Sequence, residues 1–248
     1  MIPFKTKNFT FSIPSSFDDL KMNDLKFIKE NLEDNEKIIE RLTGLKINTL
    51  LKIDLDKIIQ TLDFINEPLK EIEESQLITI DDKSYLLPED ITLKTWYQQI
   101  QAFKAYKNGD FNTVVAVYLE PLIRGKKKPK PKKTKELSKK LDKLTVQEFF
   151  GAFNYLEKQI LLLSERIKNM PQPKITPEQI EAGAESFNIL GDFNTIDDMA
   201  ITYSKTHEEI LLWSYSIIFN KLYRNNLNSI FESKYSNIMR NKSTGNDS

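Results

Sequence analysis

The chain has 248 residues, no cysteine, one histidine, and 36 Lys and Arg balanced by 36 Asp and Glu. These totals exclude disulfides, cysteine-held zinc and most histidine-based catalysis, and they allow one large or two smaller domains with a substantial core. With 40% apolar and 29% charged residues, the composition is that of a globular protein, and only 7 glycines among many Lys, Asn, Ile and Leu favour helices over a sandwich or barrel.

The amino terminus, MIPFKTKNFTF, has no apolar core of the signal-peptide kind. No run approaches the ~18–20 apolar residues of a membrane span. A soluble product of a reducing cell interior is expected. The overall neutrality hides an asymmetry: between Pro121 and Lys143 eleven Lys or Arg face two acids, so the remainder of the chain is acidic.

From the amino terminus, NFTFSI (8–13) alternates like a half-buried strand, with Phe9, Phe11 and Ile13 on one face and Pro14 ending it. Ser15 or Ser16 is placed to cap a helix carrying Leu20, Leu25 and Ile28. Helices are expected over Asn35–Leu42, closed by Gly44, and Leu55–Ile65, closed by Pro68. LITIDDKSYLL (77–87) reads as a hairpin turning at Asp81, Asp82 and Lys83. A helix with Trp96, Ile100 and Phe103 stops at Asn108–Gly109. TVVAVYLEPL (113–122) is a buried helix or strand, which periodicity does not decide.

RGKKKPKPKKTK (124–135) alternates proline with lysine, which resists helix and sheet and extends by self-repulsion. An exposed linker is expected, with an amphipathic helix starting from Lys135. Phe149, Phe150, Phe153, Leu156, Ile160 and Leu163 then carry a 3.6-residue period over Val146–Met170. MPQPKITPEQ (170–179) is a second break, followed by a helix over Glu178–Leu190.

Thr195–Tyr223 reads as a short helix, a turn, and a long apolar helix. Thr195 with Asp198, and Thr206 with Glu209, have the spacing of two capping boxes. Leu211, Tyr215, Ile218 and Leu222 form a stripe that Ile210, Trp213, Ile217 and Phe219 widen, so this helix must be buried in the core or against another chain. A terminal helix carries Leu227, Ile230, Phe231, Tyr235 and Ile238, and the tail NKSTGNDS is expected to be disordered.

Two binding chemistries are open. Arg124, Lys126, Lys127, Lys128, Lys130, Lys132, Lys133 and Lys135 would neutralise phosphates and give salt-dependent affinity for nucleic acid. The segment has no aromatic side chain to stack a base, however, and a solvated linker explains the same residues. The outline from Thr195 onward also resembles a helix-turn-helix, but its second helix opens with His207, Glu208 and Glu209, whose carboxylates repel phosphate.

His207 near Asp197 and Asp198 suggests a metal site only superficially, because acids at a helix start are explained by the helix dipole. Asp81–Asp82 and Asp54–Asp56 lie in turns without a phosphate-binding loop, and neither GxxxxGK nor GxGxxG occurs. No catalytic residues, metal or cofactor are expected. Phe149, Phe153, Ile160, Ile210, Trp213, Ile217 and Phe219 are instead the candidate protein-interface residues.

The order of features resembles a group of tailed-bacteriophage proteins described as tail assembly chaperones or virion structural proteins. The likeness rests on the strand ending Ile-Pro-Ser-Ser, EKIIERLTGL, LLKIDLDKIIQTLDFI, the hairpin, ITLKTWYQQIQAF with VVAVYLEPLI, and GDFNTIDDMAITYSKTHEEILLWS. It implies a mostly helical, non-enzymatic factor in the cytoplasm of a bacterial host. Its partner would be another virion protein such as a tape measure, or a further copy of itself. The long lysine–proline insert departs from that pattern. The expected architecture is mainly α: two helical bodies, 1–123 with a small strand and hairpin element and 136–240, joined by the basic linker 124–135 and followed by the tail 241–248.

Overall fold

The structure, a computed structural model, describes residues 1–5, 10–51, 55–67, 71–121, 131–183 and 191–244. It is mainly helical, 65% helix with twelve α-helices among the described residues, beside two small antiparallel sheets. The mainly-α expectation holds.

The alternation at 8–13 produces β2 (Thr10–Ile13), while Phe9 lies outside the described residues. Its partner is β1 (Ile2–Lys5), which the sequence did not suggest, with Ile2 opposite Ile13 and Phe4 opposite Phe11. The Phe4 and Phe11 rings stack at 5.4 Å, and Phe4 and Ile13 are buried. Such a cross-strand aromatic pair is the unit that stabilises an antiparallel ribbon.

Ser15 and Ser16 do not cap a helix. The Ser15 N–H and hydroxyl both donate to the Asp19 carboxylate, at 3.1 and 2.9 Å, and close a turn instead. Helix α1 (Met22–Glu30) starts after Lys21 because the flanking backbone is bonded to a distant segment. The Met22 N–H donates to Leu144 O at 2.9 Å, and the Val146 N–H donates to Leu20 O at 2.7 Å. A free amide of the helix start is thus satisfied by tertiary structure rather than by a side chain.

Helix α2 (Asn35–Thr43) follows the sequence closely. Asp34 accepts from the Lys37 N–H at 3.0 Å, and Gly44 ends the helix at φ +71°, a conformation that favours glycine. Then come α3 (Ile47–Leu50) and α4 (Leu55–Leu62), the latter running into a 3-10 turn at Asp63–Asn66; Pro68 lies outside the described residues, as does Asp54. The hairpin is present as β3 (Leu77–Ile80) and β4 (Lys83–Leu86). Its two-residue turn has Asp81 at φ +46° and Asp82 at φ +58°, the mirror-image turn that matches strand twist and that Asp tolerates.

After a 3-10 turn at Ile91–Leu93, helix α5 (Trp96–Lys107) ends at Gly109, φ +70°. The ambiguous apolar run is α6 (Phe111–Tyr118), followed by β5 (Glu120–Pro121), which pairs with β4. Asp110 decides for helix by accepting the Thr113 N–H at 3.1 Å. Val114 through Leu119 are all buried, so the run has no polar face.

The helix expected from Lys135 begins four residues earlier, as α7 (Pro131–Leu141). Proline suits the first helical position, where its missing N–H leaves no bond unmade. Helix α7 packs on α6, with the Asn112 amide donating to Ser138 O at 3.0 Å and to the Asp142 carboxylate at 2.7 Å. Helix α8 (Val146–Lys168) carries the expected aromatic stripe, and α9 (Pro177–Glu181) starts with a Thr176–Gln179 capping box. Residues 184–190 of the helix expected there lie outside the described residues.

Helices α10 (Asp192–Tyr203), α11 (His207–Leu211) and α12 (Tyr215–Thr244) complete the chain. The Thr206–Glu209 capping box forms, but the Thr195–Asp198 one does not: α10 starts after Gly191, which leaves Thr195 inside its first turn. The long apolar helix is broken at Leu212–Ser214. From Tyr215 it continues unbroken through the expected terminal helix, so residues 241–244 are helical and only 245–248 of the tail lie outside the described residues.

Contacts group the chain into two compact units, Met1–Glu89 with Lys104–Lys158, and Asp90–Phe103 with Gln159–Ser248. Each is assembled from two separate stretches, and two of the three dividing points fall within α5 and α8. This grouping differs from the linear succession expected from the sequence. The helices flanking the lysine–proline stretch, α6 and α7, belong to the same unit.

Candidate interaction surface

Four of the seven candidate interface residues are core residues of the folded chain. Phe149, Phe153 and Ile160 on α8, and Ile210 on α11, have at most 4% of their surface exposed. In the first unit Phe153 meets Phe111 with ring centroids 4.6 Å apart, and it stacks on Tyr106 at 6.4 Å. The Tyr106 hydroxyl donates to Glu157 at 2.8 Å. That hydrogen bond, with burial and the nearby negative charge, raises the phenol's pKa. A helix periodicity this strong is a core signature first, and here the core uses it.

Trp213 and Phe219 are half-buried, and Ile217 is exposed. Trp213 sits in the break before α12, its ring 5.3 Å from that of Tyr203. The Lys221 ammonium lies 3.6 Å from the Tyr203 ring centroid and 5.4 Å from that of Trp213. A cation over two rings is attracted by their negative faces, and it holds the last turn of α10 against the first turns of α12. Tyr215 is buried, and loss of solvent around its hydroxyl, with Asp192 contributing, pushes its pKa up to about 12.

Of the basic candidates, Arg124, Lys126, Lys127, Lys128 and Lys130 lie outside the described residues. Lys132, Lys133 and Lys135 fall in the opening turns of α7, and Lys135 is exposed. Further along α7, Lys140 forms an ion pair of 2.7 Å with Asp81 at the hairpin tip, and this lowers the pKa of Asp81. His207 meets Asp197 at 2.9 Å. No group of acids and histidine able to hold a metal occurs among the described residues. A cavity of about 180 Å³ in the first unit is lined by Ile28, Ile38, Ile59, Leu62 and Ile65 with Asn35, Asp63 and Asn66.

The surface that the sequence did not single out is the distal part of α12. Tyr223, Leu227, Phe231, Tyr235, Ile238 and Met239 are all exposed, Phe231 to 62%, and every residue from 231 to 242 is exposed. Spacings of four and three place these side chains on one broad face of the helix. Most of the remaining positions are polar, among them Asn225, Asn228, Ser229, Glu232, Ser233 and Ser236, together with Arg224, Lys234, Arg240 and Lys242. Spacing made the stripe visible in the sequence, but burial distinguishes it from the core stripe of α8. No helix among the described residues is long and apolar enough to cross a membrane.

Compared with protein-family models, curated proteins and solved structures, the chain finds no significant match in any of the three.

Proposed function

We propose that this chain works by contact, as an assembly or interaction protein of the phage tail-assembly-chaperone kind, and that its grip is the distal part of α12. The proposal rests on one observation: a broad, largely apolar helix face left exposed where the other strong apolar stripe, on α8, is consumed by the core. Burying one Leu or Phe side chain on association is worth about 1.5–3 kcal/mol, so Leu227, Phe231, Tyr235 and Ile238 suffice to hold a client once ordering costs are met. The resemblance noted in the sequence supplies the setting, the cytoplasm of a bacterial host in which a virion protein is held before assembly.

The test is affinity purification of the tagged chain from phage-producing cells, beside a Leu227→Asp/Phe231→Asp variant. A virion protein retained by the parent and lost by a variant of unchanged melting temperature supports the reading. Absence of any virion protein from the parent, or equal retention by the variant, overturns it.

A further inference from the structure

Two side chains decide what the exposed face of α12 is built to meet. Lys234 lies within the apolar stripe, four residues from both Ile230 and Ile238 and three from Phe231, and Arg224 lies three residues before Leu227. Over Tyr215–Thr244 the helix carries Lys221, Arg224, Lys234, Arg240 and Lys242 against the single acid Glu232. Lys221 is engaged by the Tyr203 and Trp213 rings. No ion pair is recorded for Lys234 among the described residues, and it is exposed.

An apolar stripe with a lysine inside it is a poor match for a second copy of itself. Pairing two such distal faces, each with Arg224, Lys234, Arg240 and Lys242 against Glu232, sets three excess positive charges against three, and like charges brought together across an interface cost several kcal/mol. A lipid surface fits less well than a protein. The cation near the centre of the stripe would enter the apolar layer ahead of its flanks, whereas membrane-lying helices keep their cations on the polar face. A partner with an apolar seam and carboxylates beside it satisfies both features. It buries Leu227, Phe231 and Ile238 and gives Lys234 a charged partner inside a partly desolvated contact, where such a pair is worth more than on the surface.

Resting on the reading above, we infer that the distal part of α12 docks an acidic amphipathic helix of another protein, with a carboxylate of that partner facing Lys234. The helix is shaped for such an arrangement: every residue from 231 to 242 is exposed, and a helical end of this length is marginal until something packs on it.

The experiment uses the full chain and two synthetic amphipathic peptides of identical apolar seam, one flanked by Glu and one by Lys, with binding read by anisotropy at low and high salt. The Glu peptide is expected to bind at least about tenfold tighter than the Lys peptide, to weaken with salt, and to lose that preference when Lys234→Glu reverses the charge. Equal binding of the two peptides, or an unchanged preference in Lys234→Glu, overturns the inference. So does dimerisation of the chain through this face, or binding to phosphatidylglycerol-containing but not phosphatidylcholine vesicles in place of the peptides. The two readings fail separately. If a virion protein is captured through Leu227 and Phe231 without charge preference, only the partner's acidity is wrong; if no virion protein is captured, the contact function itself falls.

Discussion

The backbone N–H of Trp96 donates to the carbonyl of Trp213 at 2.8 Å, and two residues further along the Tyr215 N–H donates to Lys94 O at the same distance. These bonds tie the start of α5 to the break between α11 and α12, and they explain why an apolar run that reads as one helix is two. The carbonyl and amide on either side of Ser214 are bonded outward, so the helical ladder cannot pass through them. The two tryptophans at this junction differ in burial, Trp96 being 3% exposed and Trp213 half-buried. Trp96→Ala should therefore cost about 3–5 kcal/mol, as a large core truncation does. Trp213→Ala should cost about 1–2 kcal/mol, from partial burial and the lost Lys221 contact. Urea denaturation of both variants checks the ranking, and equal losses would refute it.

Gly151 on α8 sits where a side chain has no room. A Cβ there would lie 2.9 Å from the Glu73 carbonyl oxygen, and the Ser75 N–H donates to Gly151 O at 2.9 Å, so the two backbones are locked together. Gly151→Ala should lower stability by about 1–3 kcal/mol, as overpacking does, even though alanine is the better helix former by about 1 kcal/mol. A thermal melt showing gain instead of loss would mean that the segment 73–75 yields freely.

Tyr215 sets an alkaline limit. Its phenol ionises near 10 when unfolded and at about 12 in the folded chain, because burial disfavours the phenolate. The folded state holds the proton more tightly, so this contribution, about 2–3 kcal/mol, is complete below pH 10 and is lost as pH rises from 10 to 12. Tyr215→Phe should keep the ring packing and flatten the decline in stability across that window. An unchanged slope would assign the alkaline loss elsewhere, with Tyr106 the next group to examine, since its pKa is raised as well.

Buried and exposed positions on α12 should respond differently to substitution. Ile218 is fully buried, and Ile218→Ala should cost about 2–5 kcal/mol. Leu227→Asp and Phe231→Asp lie on the exposed face and should stay within about 0.5 kcal/mol of the parent. Hydrogen exchange should agree, with slow amides near Ile218 and fast ones from 231 onward. Strong destabilisation by Phe231→Asp would mean that the distal face is already covered in the free protein.

Much of the fold was legible because its signals were local. The Asp81–Asp82 turn, the Gly44 stop, the Thr206–Glu209 capping box and the α8 stripe each depend on residues within a few positions of one another. The misread boundaries depended on distant partners. Ser15 turned to Asp19, Leu20 and Met22 bonded the start of α8, and Lys94 and Trp96 interrupted the apolar run at Ser214. The candidate surface depends on distant contacts in the same way. A stripe's strength measures how much it can bury and says nothing about whether the chain's own core has claimed it: Phe149, Phe153, Ile160 and Ile210 are core, while Trp213 and Phe219 are half-buried and Ile217 is exposed.

The sequence by itself determined that this protein is helical, carries no cysteine chemistry, and concentrates positive charge near its midpoint, since composition and short-range spacing are properties of the chain alone. Only the tertiary structure decided which apolar faces are core and which remain open. It also decided that α6 and α7, on either side of residues 122–130, pack on each other. Each of these depends on which residues far apart in the chain come within bonding distance, and no local pattern encodes that.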